Sequence, residues 1–197
     1  MRRTDPKFLP VAVVTLTVMS DRPARQTRAA ESRRRTSWSG WGEGRVDEKD
    51  GVGVFLDDVA YVFADVSVLG LPTLSLVLLA GANRWAGLKT AALVAWLTMV
   101  AVGALIRGGW VTPPATDAPG WVAMTPWLVA LRVGYYNAAL ALAAYGGRAL
   151  GVAFSESPSV GPPWSVAATA GFAFAVGALA AALFPRIADS FYAVVAE

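Results

Sequence analysis

The sequence predicts an all-α fold: a polytopic membrane protein with a four-transmembrane-helix bundle and a disordered basic N-terminal tail. Only 16% of the 197 residues are charged and 55% are hydrophobic, whereas an average soluble domain is about 25% charged. The charge is also segregated. Residues 1–50 hold 11 basic and 7 acidic side chains, net +4, and residues 51–197 hold 6 and 7, net −1. Four apolar stretches, at about 62–80, 90–106, 126–145 and 164–184, each approach the ~20 residues that cross a hydrocarbon core as a helix.

Residues 1–50 form the tail. Arg2, Arg3 and Lys7 precede a 12-residue apolar run, Phe8 to Met19, that is interrupted by Pro10. The run is too short to span a bilayer. Residues 1–18 are compatible with a misassigned start, a signal-like segment or an interfacial anchor. Residues 21–50 carry Arg22, Arg25, Arg28 and the triplet Arg33-Arg34-Arg35 among Ser, Thr, Gly and Glu. Such low hydrophobicity does not offset the entropy of ordering. A basic tail on an apolar body points to anionic lipid headgroups rather than nucleic acid.

The first helix is expected to begin near Asp57-Asp58, whose carboxylates suit an N-terminal cap, with its apolar centre from Val62 to Ala80. The second, Thr90 to Ile106, is closed by Arg107 and Gly108-Gly109, a cation and a glycine pair as a helix C-terminus favours. The third has Thr125 as cap and Pro126 at its first position and is expected to close at Gly146-Gly147-Arg148. The fourth, Trp164 to Phe184, has no charge and is followed by Pro185-Arg186. Trp85, Trp110, Trp121, Trp127 and Trp164 fall at these limits, where amphipathic indoles settle at a bilayer interface; Trp96 is mid-span. The arginine-rich tail predicts a multi-pass protein of the cell membrane with both termini cytoplasmic.

With no cysteine or histidine, the chain offers no disulfide, no thiolate chemistry, no histidine-ligated haem and none of the usual zinc or copper sites. No Walker loop, nucleophile elbow or metal-ligand spacing is present. No catalytic residue, metal or cofactor is expected, and the chain is not expected to be an enzyme.

At 100° per residue, Leu128, Arg132, Tyr135, Tyr136, Ala139 and Ala143 share one face of the third helix, and Asp58, Tyr61, Asp65 and Pro72 one face of the first. A central arginine costs ~2.5–3.5 kcal/mol to insert on translocon scales, so it calls for a partner or a water path. Helices one and three run in the same direction, and Asp65 and Arg132 each lie about two turns in. An Asp65–Arg132 pair is therefore expected, with Tyr61, Tyr135 and Tyr136 as hydrogen-bonding neighbours and Arg107 at the same level. It is either a register-fixing ion pair or an anion or proton site. The row Ala167, Gly171, Ala175, Ala178 and Ala182 on the fourth helix is expected to pack inside the bundle. The loop between the second and third helices repeats Gly-Trp-Val at Gly109 and Gly120 around Pro113-Pro114 and Asp117, and is read as lying on the surface or as re-entrant.

The stretch from Arg107 to Gly147, through Arg107, Gly109, Trp110, Asp117, Gly120, Trp121, Arg132, Gly134, Tyr135, Tyr136 and Asn137, resembles small uncharacterised membrane proteins of halophilic archaea. The resemblance implies a four-helix membrane domain of unknown function. The basic tail departs from the acidic soluble segments usual in such organisms. The function expected from the whole chain is that of a non-enzymatic accessory or interaction subunit, with a protein partner or a second copy. The alternative is a small oligomeric carrier or channel for an anion or proton using Arg132 and its tyrosines.

Overall fold

The structure, a computed structural model, describes residues 51–80, 87–114, 116, 126–156 and 162–195. The readings made for the tail, for Trp85, Trp121 and Thr125, and for most of the segment between the second and third apolar stretches fall outside these residues. The described residues form five α-helices and no strand: α1 (Gly51–Leu69), α2 (Leu71–Leu79), α3 (Leu88–Arg107), α4 (Pro126–Ser155) and α5 (Pro162–Val195). Three of them, α3, α4 and α5, are each long and apolar enough to cross a membrane; α1 and α2 pass the same test only as a pair bent by 67°.

Helices α3, α4 and α5 pack on one another, α1 lies on α3 and α4, and α2 lies on α4 and α3. The shared core is built from Val62 and Val66 of α1, Ala91, Ala95 and Met99 of α3, Tyr136, Leu140 and Ala143 of α4, and Ala173, Ala181 and Phe184 of α5. Small residues allow the close approach. A Cβ on Gly177 of α5 would lie 2.8 Å from the Ala95 carbonyl oxygen, so these two backbones are separated by a hydrogen atom and little else.

The predicted first span is not one helix. It begins earlier, at Gly51, and breaks at Gly70. Pro72 has no N–H to give the Val68 carbonyl, and its ring crowds that carbonyl. Gly70 tolerates the turn and the packing that comes with it: a Cβ there would meet the Val66 carbonyl oxygen at 2.6 Å and Leu140 Cδ1 at 2.7 Å. Pro72, grouped by periodicity with Asp58 and Asp65, is exposed and lies beyond the break.

Two expected helix ends are also corrected. α4 continues through Gly146, Gly147 and Arg148 to Ser155. Its glycines serve packing rather than termination: a Cβ on Gly147 would sit 3.0 Å from Ala91 Cβ and 3.1 Å from the Thr169 carbonyl oxygen. α5 continues through Pro185 to Val195. The inward face there carries on with Phe184 and Ala188, both buried, so apolar burial offsets the hydrogen bond that proline removes. The α3 terminus is as expected. Gly109 takes φ 70°, and the Trp110 and Gly109 N–H groups donate to the Leu105 and Ile106 carbonyls at 2.9 and 3.0 Å. This is the six-to-one and five-to-two pattern that closes a helix on glycine.

The alanine row of α5 is a further correction. Ala167, Gly171 and Ala175 are exposed and Ala178 and Ala182 half-buried, while Ser165, Thr169, Ala173, Gly177, Ala181 and Phe184 face inward. Both rows step by three or four residues, and the inward one meets α3 and α4.

Candidate functional site

Both acids of the inward face of α1, Asp58 and Asp65, are buried, 0% and 8% exposed. Their spacing of seven residues is two helical turns, so the carboxylates stack along one stripe. An arginine from a different helix meets each of them.

The inner pair joins α1 to α4. Arg132, 0% exposed, places Nη1 3.4 Å from Asp65 Oδ1. The Tyr136 hydroxyl donates to Asp65 Oδ2 at 2.9 Å. Phe184 of α5 closes this layer, 5.6 Å below the Arg132 guanidinium and 5.4 Å from the Tyr136 ring. The carboxylate thus receives a cation and a phenol, one on each oxygen, inside an apolar frame.

The outer pair joins α1 to α3. Arg107 Nε donates to Asp58 Oδ1 at 3.2 Å, and its guanidinium lies over the Tyr61 ring, 3.4 Å from the centroid. That stacking favours arginine over lysine, because the planar cation can face the ring and still direct an N–H at a carboxylate. Trp110, just past the α3 terminus, packs edge-on against Phe55 of α1, with ring centroids 6.2 Å apart. Asp58 is therefore not the helix cap read from the sequence. It sits two turns inside α1, where no cap is needed, and binds the last residue of α3.

Of the six residues singled out in the sequence, the structure brings Asp65, Arg132 and Tyr136 into direct contact. Arg107 and Tyr61 join each other and Asp58 in the adjacent layer. Tyr135 faces elsewhere: its hydroxyl donates to the Ala180 carbonyl at 2.9 Å, tying α4 to α5. Tyr61 has its ring under Arg107 rather than a place in the Asp65 hydrogen bonds.

Asn137, named from the sequence only within the resembling stretch, has a role that sequence reasoning missed, as does Asp58. In a continuous helix the Thr73 N–H would bond the Leu69 carbonyl. The Asn137 side chain stands between these two groups. Its Oδ1 accepts from the Thr73 N–H at 2.8 Å, and its Nδ2 donates to the Leu69 carbonyl at 2.8 Å. The Thr73 hydroxyl returns a bond to the Asn137 carbonyl at 3.3 Å. One amide on α4 thus substitutes for the missing rung of the broken α1–α2 ladder, one residue from Tyr136. A single amide in an apolar run was the available signal, but nothing in the sequence names its partner.

The network is formally neutral: two carboxylates and two guanidiniums. No group of three or more potential metal ligands occurs among the described residues. The arrangement can hold three helices in one register, and it can receive or pass a proton or an anion only if its own pairs open.

A family model for a domain of unknown function, DUF8215, matches residues 49–191, and the chain belongs to that family. The match takes in all of the network and the whole of α1 to α4. No curated protein and no solved structure matches the chain.

Proposed function

We propose that this member of the DUF8215 family is an integral membrane protein acting as a non-enzymatic accessory or interaction subunit. In this reading α1 and α2 make one broken crossing and α3, α4 and α5 one each. Both termini are cytoplasmic, and the basic tail meets anionic headgroups or a cytoplasmic partner. The observation that carries it is the internal matching of charge. Each buried carboxylate meets an arginine from a neighbouring helix, at 3.2 and 3.4 Å, so the ionised groups are occupied in joining helices. The outward faces of the bundle are apolar, including Leu76, Leu78 and Leu79 of α2 and Leu179 and Leu183 of α5, as lipid or a partner helix requires.

The test is gentle-detergent purification of the C-terminally tagged protein from its native membrane. A partner retained at fixed stoichiometry through a second purification step is the expected result. Recovery of the chain alone or with copies of itself counts against the accessory role.

One observation favours the second reading, a small oligomeric carrier or channel for an anion or proton. Broken helices beside buried charge are where many transporters place their sites, and the Gly70 break is bridged from the residue next to Tyr136. The chain has no cysteine, so single thiols discriminate cleanly. Leu128→Cys and Ala143→Cys, both at buried positions of α4, are expected to resist a membrane-impermeant thiol reagent in sealed vesicles. Labelling of both would expose a water path along this face and shift the assignment to a carrier.

A further inference from the structure

The 67° bend carries α2 off the line of α1 and leaves a slot of about 230 Å³ between α2 and α3. Leu74, Val77 and Leu78 form one wall, Leu93 and Trp96 the other, and the one charged lining residue is Lys89. Lys89 is seven residues from Trp96, about 10 Å along the helix at 1.5 Å per residue. The slot therefore has an ammonium at one end and an indole at the other. Leu78 and Leu93 are 70% and 53% exposed, so it opens sideways from the bundle. Neither α2 nor α3 contains an acidic residue. Gly87 gives α3 no side-chain cap, and the amide dipoles of the first turn add positive potential next to Lys89.

We infer that the α2–α3 slot binds an anionic phospholipid, with an acyl chain against Leu74, Leu78 and Leu93 and the headgroup phosphate at Lys89. This inference rests on the membrane reading above. Charge complementarity selects the occupant. An apolar helix laid in the slot would cover Lys89 without a counter-charge, which is costly. A zwitterionic lipid fills the apolar part but offers no net charge to the lysine. An anionic lipid satisfies both ends at once. The slot draws on no residue of the basic tail and presents its lysine at the opposite end of α3 from Arg107.

The test uses the full chain purified in neutral detergent and offered equimolar phosphatidylglycerol and phosphatidylcholine, with retained lipid read by native mass spectrometry. One phosphatidylglycerol is expected at about fivefold preference, the weight of a single lysine near an anionic surface. Lys89→Gln should abolish the preference. Arg148→Gln, an exposed cation on α4, should leave it intact. Leu93→Trp, which narrows the slot, should lower retention of either lipid. Equal retention of both lipids by the unmodified protein overturns the inference, as does equal loss of preference in the two cation variants. Alkaline carbonate extraction separates the two levels. A chain released to the supernatant sinks the membrane reading and the lipid site together; a chain that stays with the membrane but shows no preference sinks the lipid site alone.

Discussion

Arg132→Gln is expected to destabilise the protein more than any other single change in the bundle, by about 3–5 kcal/mol, because it leaves Asp65 buried without its cation. Arg132 is fully buried and its guanidinium reaches Asp65 at 3.4 Å. The same logic applies to Asp65→Asn, which strands the guanidinium instead and weakens the Tyr136 hydrogen bond. The decisive comparison is the double variant, measured as unfolding free energy by denaturant titration in mixed micelles. It should cost less than the sum of the two single changes, by about 1–3 kcal/mol for groups in direct contact. Strict additivity would show that the two residues do not interact. Arg107→Gln strands Asp58 in the same way and should cost less only because Arg107 is itself 8% exposed, against 0% for Arg132, so that water can enter the space it leaves. If instead Arg132→Gln left stability unchanged and abolished movement of protons or anions in reconstituted vesicles, the accessory-subunit assignment would fall.

Asn137→Ala is expected to cost about 2–4 kcal/mol, since it orphans the Leu69 carbonyl and the Thr73 N–H together, at ~1–3 kcal/mol for each buried polar group. The prediction has an internal control. With Pro72→Ala in place, the chain regains an N–H at position 72 and loses the ring that crowds the helix. The α1–α2 ladder can then close across the break, and Asn137→Ala should cost markedly less. An unchanged cost in that background would mean that the amide does not stand in for the missing rung. Mixed-micelle unfolding of the four proteins, the parent and the three variants, supplies the complete cycle.

Much of the bundle was legible because hydropathy integrates over many residues. A run such as Leu88–Arg107 carries its own evidence, and its end was signalled by chemistry that acts locally, the Arg107-Gly108-Gly109 sequence. The Asp65–Arg132 contact was legible for a geometric reason: alternate helices run in the same direction, so equal depth means nearness. The break at Gly70 was hidden because Leu, Gly and Pro in an apolar run barely change its mean hydropathy. Gly146-Gly147 and Pro185 looked like stops because glycine and proline disfavour helix locally. What overrode them was tertiary: the backbone of Thr169 lies against Gly147, and the buried face of α5 continues past Pro185. The alanine row on α5 failed for a related reason. In an alanine-rich helix several faces have small residues at three- and four-residue steps, and only the partner decides which one is used. Asp58 was misread because its pairing with Arg107 spans 49 residues of sequence, and no periodicity within one helix reports on that.

The two buried acids of α1 are made before either of their bases. Asp58 waits 49 residues for Arg107 and Asp65 waits 67 for Arg132. For the membrane protein proposed here, α1 leaves the ribosome as the least acceptable of the helices to lipid, and it becomes acceptable only when α3 and then α4 arrive. The charge pattern thus imposes an order of biogenesis. A chain truncated after α3 retains an unmatched carboxylate, which gives the cell a direct chemical mark of an unfinished molecule.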